Sequence, residues 1–300
     1  MRKILKIVAG FVILGACEKT VDFELPDPGD KITIDARLEQ GEQAEALVSS
    51  SVDALSSENP DRSDKFSVKL LENGQLVAQF QHSPSNLTDV NYQSAYEIQS
   101  GKTYTVKATS SGLPDAQGTD GVPETIQVKD WEFNEATQDL RLQLPGFKQD
   151  AGGYYVLRAS LESLVKNPVR RVSSSQVTLS SVDPQVEFFN TQDINDPSRP
   201  SGSRAIINAQ SEGRGEFSVT MRMEEDPFAT DTAAVDSLYY HLQWQHWTED
   251  QYQFNRRDRL SDLSGDGPFG EPVQPYFNVE GGYGIVAGFT PSSDTLLLKP

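Results

Sequence analysis

Cysteine is all but missing, with one in 300 residues. A lone thiol excludes an internal disulfide framework and any multi-cysteine zinc site. Histidine is nearly as scarce, at three. His241 and His246 lie five apart, on opposite faces of a strand and well separated on a helix, unlike the four-residue spacing of a helical zinc pair. Both read as packed or surface residues. Basic charge is short as well: Lys and Arg number 26 against 44 Asp and Glu, a net of -18. Without basic patches to neutralise phosphates, nucleic acid is excluded as a partner, and anionic lipid surfaces repel the body of the chain.

Catalytic signatures are missing too. No Gly-x-Ser-x-Gly elbow occurs. "YEIQSGKT" ends like a phosphate-binding loop in Gly101, Lys102 and Thr103, but Tyr96 takes the place of the first glycine and a strand pattern follows. In "DLSGDG", Asp262, Ser264, Asp266 and Gly267 match the opening of an EF-hand loop, yet Val273 stands where the bidentate glutamate belongs. These gaps predict a protein that is not an enzyme and has no cofactor and no metal.

What is present begins at the start of the chain. Arg2, Lys3 and Lys6 precede an apolar run from Ile7 to Leu14, the layout of a secretory signal. The stretch to Ala16 is about half the ~20 residues that a membrane span needs. Leu14, Gly15 and Ala16 before Cys17 resemble the bacterial lipobox, so residues 1–16 read as a lipoprotein signal peptide and Cys17 as the lipidated first residue of the mature chain. Two or three acyl chains hold a protein on a bilayer where one binds only marginally. Residues 17–29, with Pro26 and Pro28, read as an extended tether.

Strand signals follow at once. Ile32, Ile34, Ala36 and Leu38 alternate with polar residues. Asn73 and Gly74 supply the positive φ of a type I′ turn between two apolar runs, which predicts a hairpin. Tyr104, just past a turn at Ser100 and Gly101, is placed like the tyrosine corner of immunoglobulin-like sandwiches, whose hydroxyl bonds upstream backbone. Residues 30–128 therefore read as an immunoglobulin-like β-sandwich. Residues 129–300 read as a second antiparallel β-rich domain, its short runs separated by Pro, Gly, Asn and Asp clusters. One helix is expected near 249–263, opened by a capping box of Thr248 and Gln251 and closed by Gly265 and Gly267. In "LYYHLQWQHW", Tyr240 and Trp244 share one strand face and Tyr239 and Trp247 the other; both faces read as core, the alternative being that one is a sugar-stacking or protein-contact surface.

Four stretches together resemble a family of uncharacterised outer-membrane lipoproteins of the Bacteroidetes, known as a domain of unknown function. They are the lipobox cysteine, the opening strand "KITIDARL", "SGKTYTVKA" leading to "VPETIQV", and the ending "FGEPVQPYFNVEGGYGIVAGF". Members of that family are typically encoded beside TonB-dependent outer-membrane transporters. The resemblance implies a lipid-anchored transporter accessory of the outer membrane, its membrane face left open, with no known chemistry. The alternative is a surface glycan-binding or glycan-cleaving lipoprotein acting alone. Pro272, Pro275, Gly281, Gly282 and Gly284 predict that Glu271 to Phe289 is no ordinary central strand. Combined with the resemblance, they mark a shaped surface element with Tyr276, Phe277 and Tyr283 as candidate anchors for the partner; the alternative is a structural turn that seals the second domain.

Overall fold

The computed structural model describes residues 29–52, 59–63, 65–83, 90–146, 153–166, 169–188, 200–209, 215–224, 236–264 and 273–299. The signal peptide, Cys17 and nearly all of the tether lie outside these residues, as do Gly265 to Pro272. The first group of strands is β1 (Ile32–Glu39), β2 (Gln43–Ser50), β3 (Ser67–Glu72), β4 (Gln75–Gln79), β5 (Gln81–His82), β6 (Tyr92–Glu97), β7 (Lys102–Thr109) and β8 (Ala116–Val122). The second is β9 (Asp130–Asn134), β10 (Asp139–Leu144), β11 (Tyr154–Lys166), β12 (Val169–Val177), β13 (Leu179–Ser180), β14 (Val186–Phe188), β15 (Ser201–Gly202), β16 (Ala205–Asn208), β17 (Phe217–Met223) and β18 (Ser237–Trp247). Helix α1 (Glu249–Ser264) and strands β19 (Val279–Glu280) and β20 (Tyr283–Lys299) complete the chain.

The protein is mostly β, with one helix among the described residues, and it is built as sandwiches. One ten-stranded sheet runs β14-β16-β11-β18-β20-β1-β2-β6-β5, with β12 also paired to β11. Two five-stranded sheets complete it: β19-β8-β7-β3-β4, and β15-β13-β17-β10-β9. The first closes over a core of Ile32, Ile34, Leu38, Val68, Tyr104 and Val106. The second closes over Leu140, Leu142, Val219, Met221, Tyr240 and Trp244.

Local chemistry explains the elements. In β1 the four apolar residues are buried, and the polar ones between them are not, the period of a strand with one face in a core. Asn73 (φ 47°) and Gly74 (φ 81°) make the β3–β4 turn, where only positive φ follows the twist of the flanking strands. The Tyr104 hydroxyl accepts the Gln99 amide at 3.0 Å, so the corner tyrosine fastens the chain to its upstream backbone as expected. Thr248 caps α1, its Oγ1 accepting the Gln251 amide at 3.2 Å, with Glu249 and Asp250 in the positive first turn. The helix covers the outer face of the large sheet, where Trp247, Tyr252, Tyr154, Val156 and Ile206 form a third small core. Both faces of β18 are thus used: Tyr240 and Trp244 are buried on one and Trp247 on the other, while Tyr239 is half-buried and donates to Glu162 at 2.7 Å.

One expectation is overturned. The glycine-rich ending from Tyr283 onward is a central strand of the large sheet. Its first half pairs in parallel with β1, from Thr33 opposite Tyr283 to Glu39 opposite Phe289. Its second half pairs antiparallel with β18, from Phe289 to Lys299. Glycine is required by proximity rather than by irregularity. A Cβ on Gly284, which has φ 106°, would lie 1.9 Å from the Ile34 carbonyl oxygen, and one on Gly288 would lie 2.0 Å from that of Gly121. Pro291 is tolerated because β1 has ended at Glu39, so on that side no strand pairs with it.

Candidate functional site: the seam at the start of the last strand

Along Gly284–Gly288, β20 has β1 on one side and, among the described residues, no strand on the other, because β18 pairs with it only from Phe289 onward. Side chains take the missing strand's place. The Asn278 amide nitrogen of the backbone donates to the Gly284 carbonyl at 3.2 Å. Its side chain accepts the Val286 amide at 2.8 Å and donates to the Val286 carbonyl at 2.6 Å. The second side-chain hydrogen goes to Asp250 Oδ2 at 2.7 Å, so both donors of the Asn278 amide are used. Asp250 also accepts the Tyr276 hydroxyl. One carboxylate at the helix start therefore orients the asparagine that replaces a strand.

The next rung belongs to Asp120 of β8. Ala116, Gly118, Asp120 and Val122 share the inward face of that strand, so the carboxyl points at the large sheet. Its Oδ2 accepts the Gly288 amide at 2.8 Å and the Thr248 hydroxyl at 2.6 Å, and Oδ1 accepts the Gly121 amide at 2.8 Å. Where β18 leaves the ladder to become α1, Asp120 collects the donors that the ladder drops. All three donors are neutral. Burial pushes the Asp120 carboxyl up to about 7, against the pull of Thr248 and Gly288 and with a further push from the charge of Asp250. Some of its surface reaches solvent, but both oxygens are occupied. The Tyr276 hydroxyl is raised as well, by burial first and then by its bond to Asp250. Asp120 was not foreseen from sequence. The signal is the run Ala116–Val122, where a carboxylate falls in phase with small buried residues.

The three predicted anchors sit around this seam in different ways. Tyr276 is half-buried and tied to Asp250. Phe277 is 46% exposed. Its ring meets that of the half-buried Tyr283 at 5.5 Å, and the Lys31 ammonium lies 4.9 Å from the Tyr283 centroid. Phe277, Tyr283 and Lys31 thus form an aromatic and cationic patch beside the start of β1. The lipobox residues Leu14, Gly15 and Ala16, together with Cys17, lie outside the described residues, as does most of the EF-hand-like stretch.

Other candidates resolve into structure. Gly101 forms a turn with φ 73°, Lys102 opens β7, and its ammonium pairs with Glu72 at 3.2 Å. His246 is buried, and its Nδ1 lies 2.7 Å from the Glu124 carbonyl oxygen, an acceptor only, so that nitrogen carries the proton. Burial holds the ring down at about 4, and the Glu124 bond opposes that shift. This bond and one from Thr290 to the Pro123 carbonyl pin the connector between the sandwiches to the large sheet. Beside the connector lies a cleft of about 840 Å³, lined by Lys102, Thr103, Gln127, Lys129, Tyr155 and His246 among others. Its two lysines are committed to Glu72 and Glu216. Among the described residues no three or more His, Cys, Asp and Glu side chains group to hold a metal ion, and no helix is long and apolar enough to cross a membrane.

Fold and seam together define a helix-poor protein of joined β-sandwiches whose polar side chains complete a strand. Residues 18–295 match the family described as a domain of unknown function, DUF4249, and the chain belongs to it. The seam lies inside the matched region, and the "NVEGGYG" that builds it belongs to the ending singled out above. No curated protein and no solved structure matches the chain.

Proposed function

We propose that the protein is a lipid-anchored accessory of the outer membrane, of the kind found in the Bacteroidetes, that binds a TonB-dependent transporter and performs no catalysis. The observation that carries this reading is the Phe277–Tyr283 pair, an aromatic surface held rigidly by the seam beneath it. Exposed aromatics on a fixed frame supply contact area at low entropic cost, the property of interface anchors. Lys31 of the patch follows the expected tether, residues 17–29, by two positions in the sequence. The acidic body with acyl anchoring fits a protein that stands off an anionic surface and meets a membrane partner.

Co-purification in mild detergent tests the reading. Phe277→Ala removes an exposed ring and leaves the melting temperature near that of wild type, while the transporter is lost. A Phe277→Ala protein that retains the same membrane partner ends the role of that residue, and a wild type that brings down no transporter ends the reading. Cys17→Ala separately tests the anchor: a palmitate analogue labels the wild type and misses the variant, and equal labelling of both removes the lipoprotein.

One observation favours a second reading, glycan binding. Trp131 is 44% exposed on the edge strand β9, next to a hollow of about 270 Å³ lined by Asp130, Glu132, Arg141 and Gln143. Titration calorimetry against a glycan panel separates the readings, since tight sugar binding lost in Trp131→Ala favours the second.

A further inference from the structure

The seam holds two carboxylates, Asp120 and Asp250, and among the described residues the bonds that hold them come from neutral donors. Asp250 faces Asp120 from α1, Tyr276 faces it from the segment before β19, and Tyr104 stands opposite it on β7. The nearest stretch of β20, Val286 to Phe289, contributes no titratable side chain. Lys102, two pairs along on β7, is engaged with Glu72. His246, at the end of β18, is held neutral by burial. The groups that bond Asp120 are a hydroxyl and two backbone amides, none of which compensates a full negative charge.

We propose that Asp120 is a proton-dependent latch on the docking segment Tyr276–Tyr283: closed while its carboxyl is protonated beside Asp250, and loosened when it ionises. The geometry supplies the coupling. Asp120 holds the β20 amide of Gly288 and the cap hydroxyl of α1. Asp250, two residues into that helix, holds Tyr276 and Asn278. Asn278 in turn holds both polar groups of Val286. Repulsion between the carboxylates therefore acts on the cap, on the first helical turn and on the two residues that place Phe277. Ionising Asp120 places a negative charge beside Asp250 with only neutral donors to offset it. The position of the Asp120 carboxyl, pushed up to about 7, puts the change near neutral pH.

The biological weight of the latch rests on the docking reading above, but its conformational response does not. Hydrogen exchange on the full-length protein in mild detergent, with no transporter present, therefore tests it separately. After correction for intrinsic rates, amides from Tyr276 to Val286 and in the first turn of α1 are expected to exchange about tenfold faster at about pH 8 than at about pH 5.5, with a midpoint near that of Asp120. Asp120→Asn removes the dependence. Asp250→Asn withdraws the neighbouring charge, so it moves the midpoint to lower pH, and it serves if Asp120→Asn does not fold. Exchange in wild type that is flat across this range overturns the latch, as does a midpoint that Asp250→Asn leaves in place. Transporter retention that stays equal at both pH values while the segment loosens overturns its regulatory role. A wild type that never brings down a transporter leaves the latch standing and removes only the docking.

Discussion

The two sandwiches share one sheet and fill their interiors in opposite ways. Most residues of the first core are small or β-branched, among them Ile32, Ile34, Ala36, Val48, Val106, Ala108 and Ala116, with Phe66, Phe80, Tyr92 and Tyr104 as its aromatics. The sheets approach so closely that a Cβ on Gly118 would lie 2.5 Å from Val286 Cγ2. The second core spans its gap with Trp244, Tyr240, Met221, Met223 and three leucines of β10. Strand β20 lines both, and its composition changes with the gap it faces. "YGIVAGF" runs through the first sandwich and "DTLLLK" through the second. The lesson is that strand composition reports the distance to the facing layer as well as the burial of the strand.

Overfilling the thin core should do more harm than emptying the wide one. Gly288→Val drives a side chain into the Gly121 carbonyl of the facing strand, with a Cβ contact of 2.0 Å, so backbone must move. A loss upwards of about 4 kcal/mol is expected by urea unfolding. All three tryptophans, Trp131, Trp244 and Trp247, lie on β9 or β18, both outside the first core. Tryptophan fluorescence and far-UV circular dichroism can therefore follow the two sandwiches apart. Coincident transitions are expected because the large sheet is shared. A wild-type fluorescence transition beside a collapsed dichroism signal breaks the comparison into two independent units.

Trp244→Ala, in the wide core, leaves a cavity and costs about 3 to 4 kcal/mol by the same measurement. A cost under about 1 kcal/mol shows that the second core collapses around the void.

The histidine that pins the connector gives an effect of similar size that depends on pH. His246 titrates at about 4 when folded, below its ordinary 6.5. Unfolding therefore takes up a proton between these values, and stability falls as pH drops from about 6.5 towards 4, by up to about 3 kcal/mol. Asp120 has the opposite sign, raised from 3.8 to about 7, so its contribution falls as pH rises through that window. Urea midpoints across pH should lose the acid-side slope in His246→Gln and the neutral-side slope in Asp120→Asn. Unchanged slopes in either variant remove that residue from the account.

The smallest effect is at the corner of the first sandwich. Tyr104→Phe keeps the ring and leaves the Gln99 amide without its acceptor, costing about 1 kcal/mol in thermal or urea melts. A cost well above that assigns the hydroxyl more than its single bond to backbone.

Sequence made the local devices legible because each rests on chemistry within a few residues. Asn73-Gly74 demands its turn, Thr248 and Gln251 their cap, and Tyr104 its corner. Alternation alone placed β1 and both faces of β18. The position of β20 was not legible, since its glycines and neighbouring prolines carry the signature of an irregular segment. What requires them is the nearness of Ile34 and Gly121, which are more than 150 residues away in sequence. Asp120 was hidden for a similar reason: its partners Thr248 and Gly288 lie far along the chain, and a carboxylate among small residues has no local signature. Of the seam and its patch, the sequence points to Tyr276, Phe277 and Tyr283 as surface anchors. The asparagine between them, which replaces a strand, appeared only as part of the family's ending.

The pairing of β1 with β20 also dictates when the protein can fold. Thr33 and Tyr283 are partners separated by about 250 residues, so the neighbour of the first strand leaves the ribosome about 250 residues after it. Val279 and Val286 complete the first core from the same late stretch. A sandwich whose other strands are finished by Val122 therefore waits, open along one side, until the stretch from Val279 to Phe289 has been made. The usual order, in which the leading domain folds while the rest is being made, is closed to this chain. Its rate of maturation is set by one long loop closure, and the exposed edge of β1 is the surface that a chaperone would have to shield meanwhile.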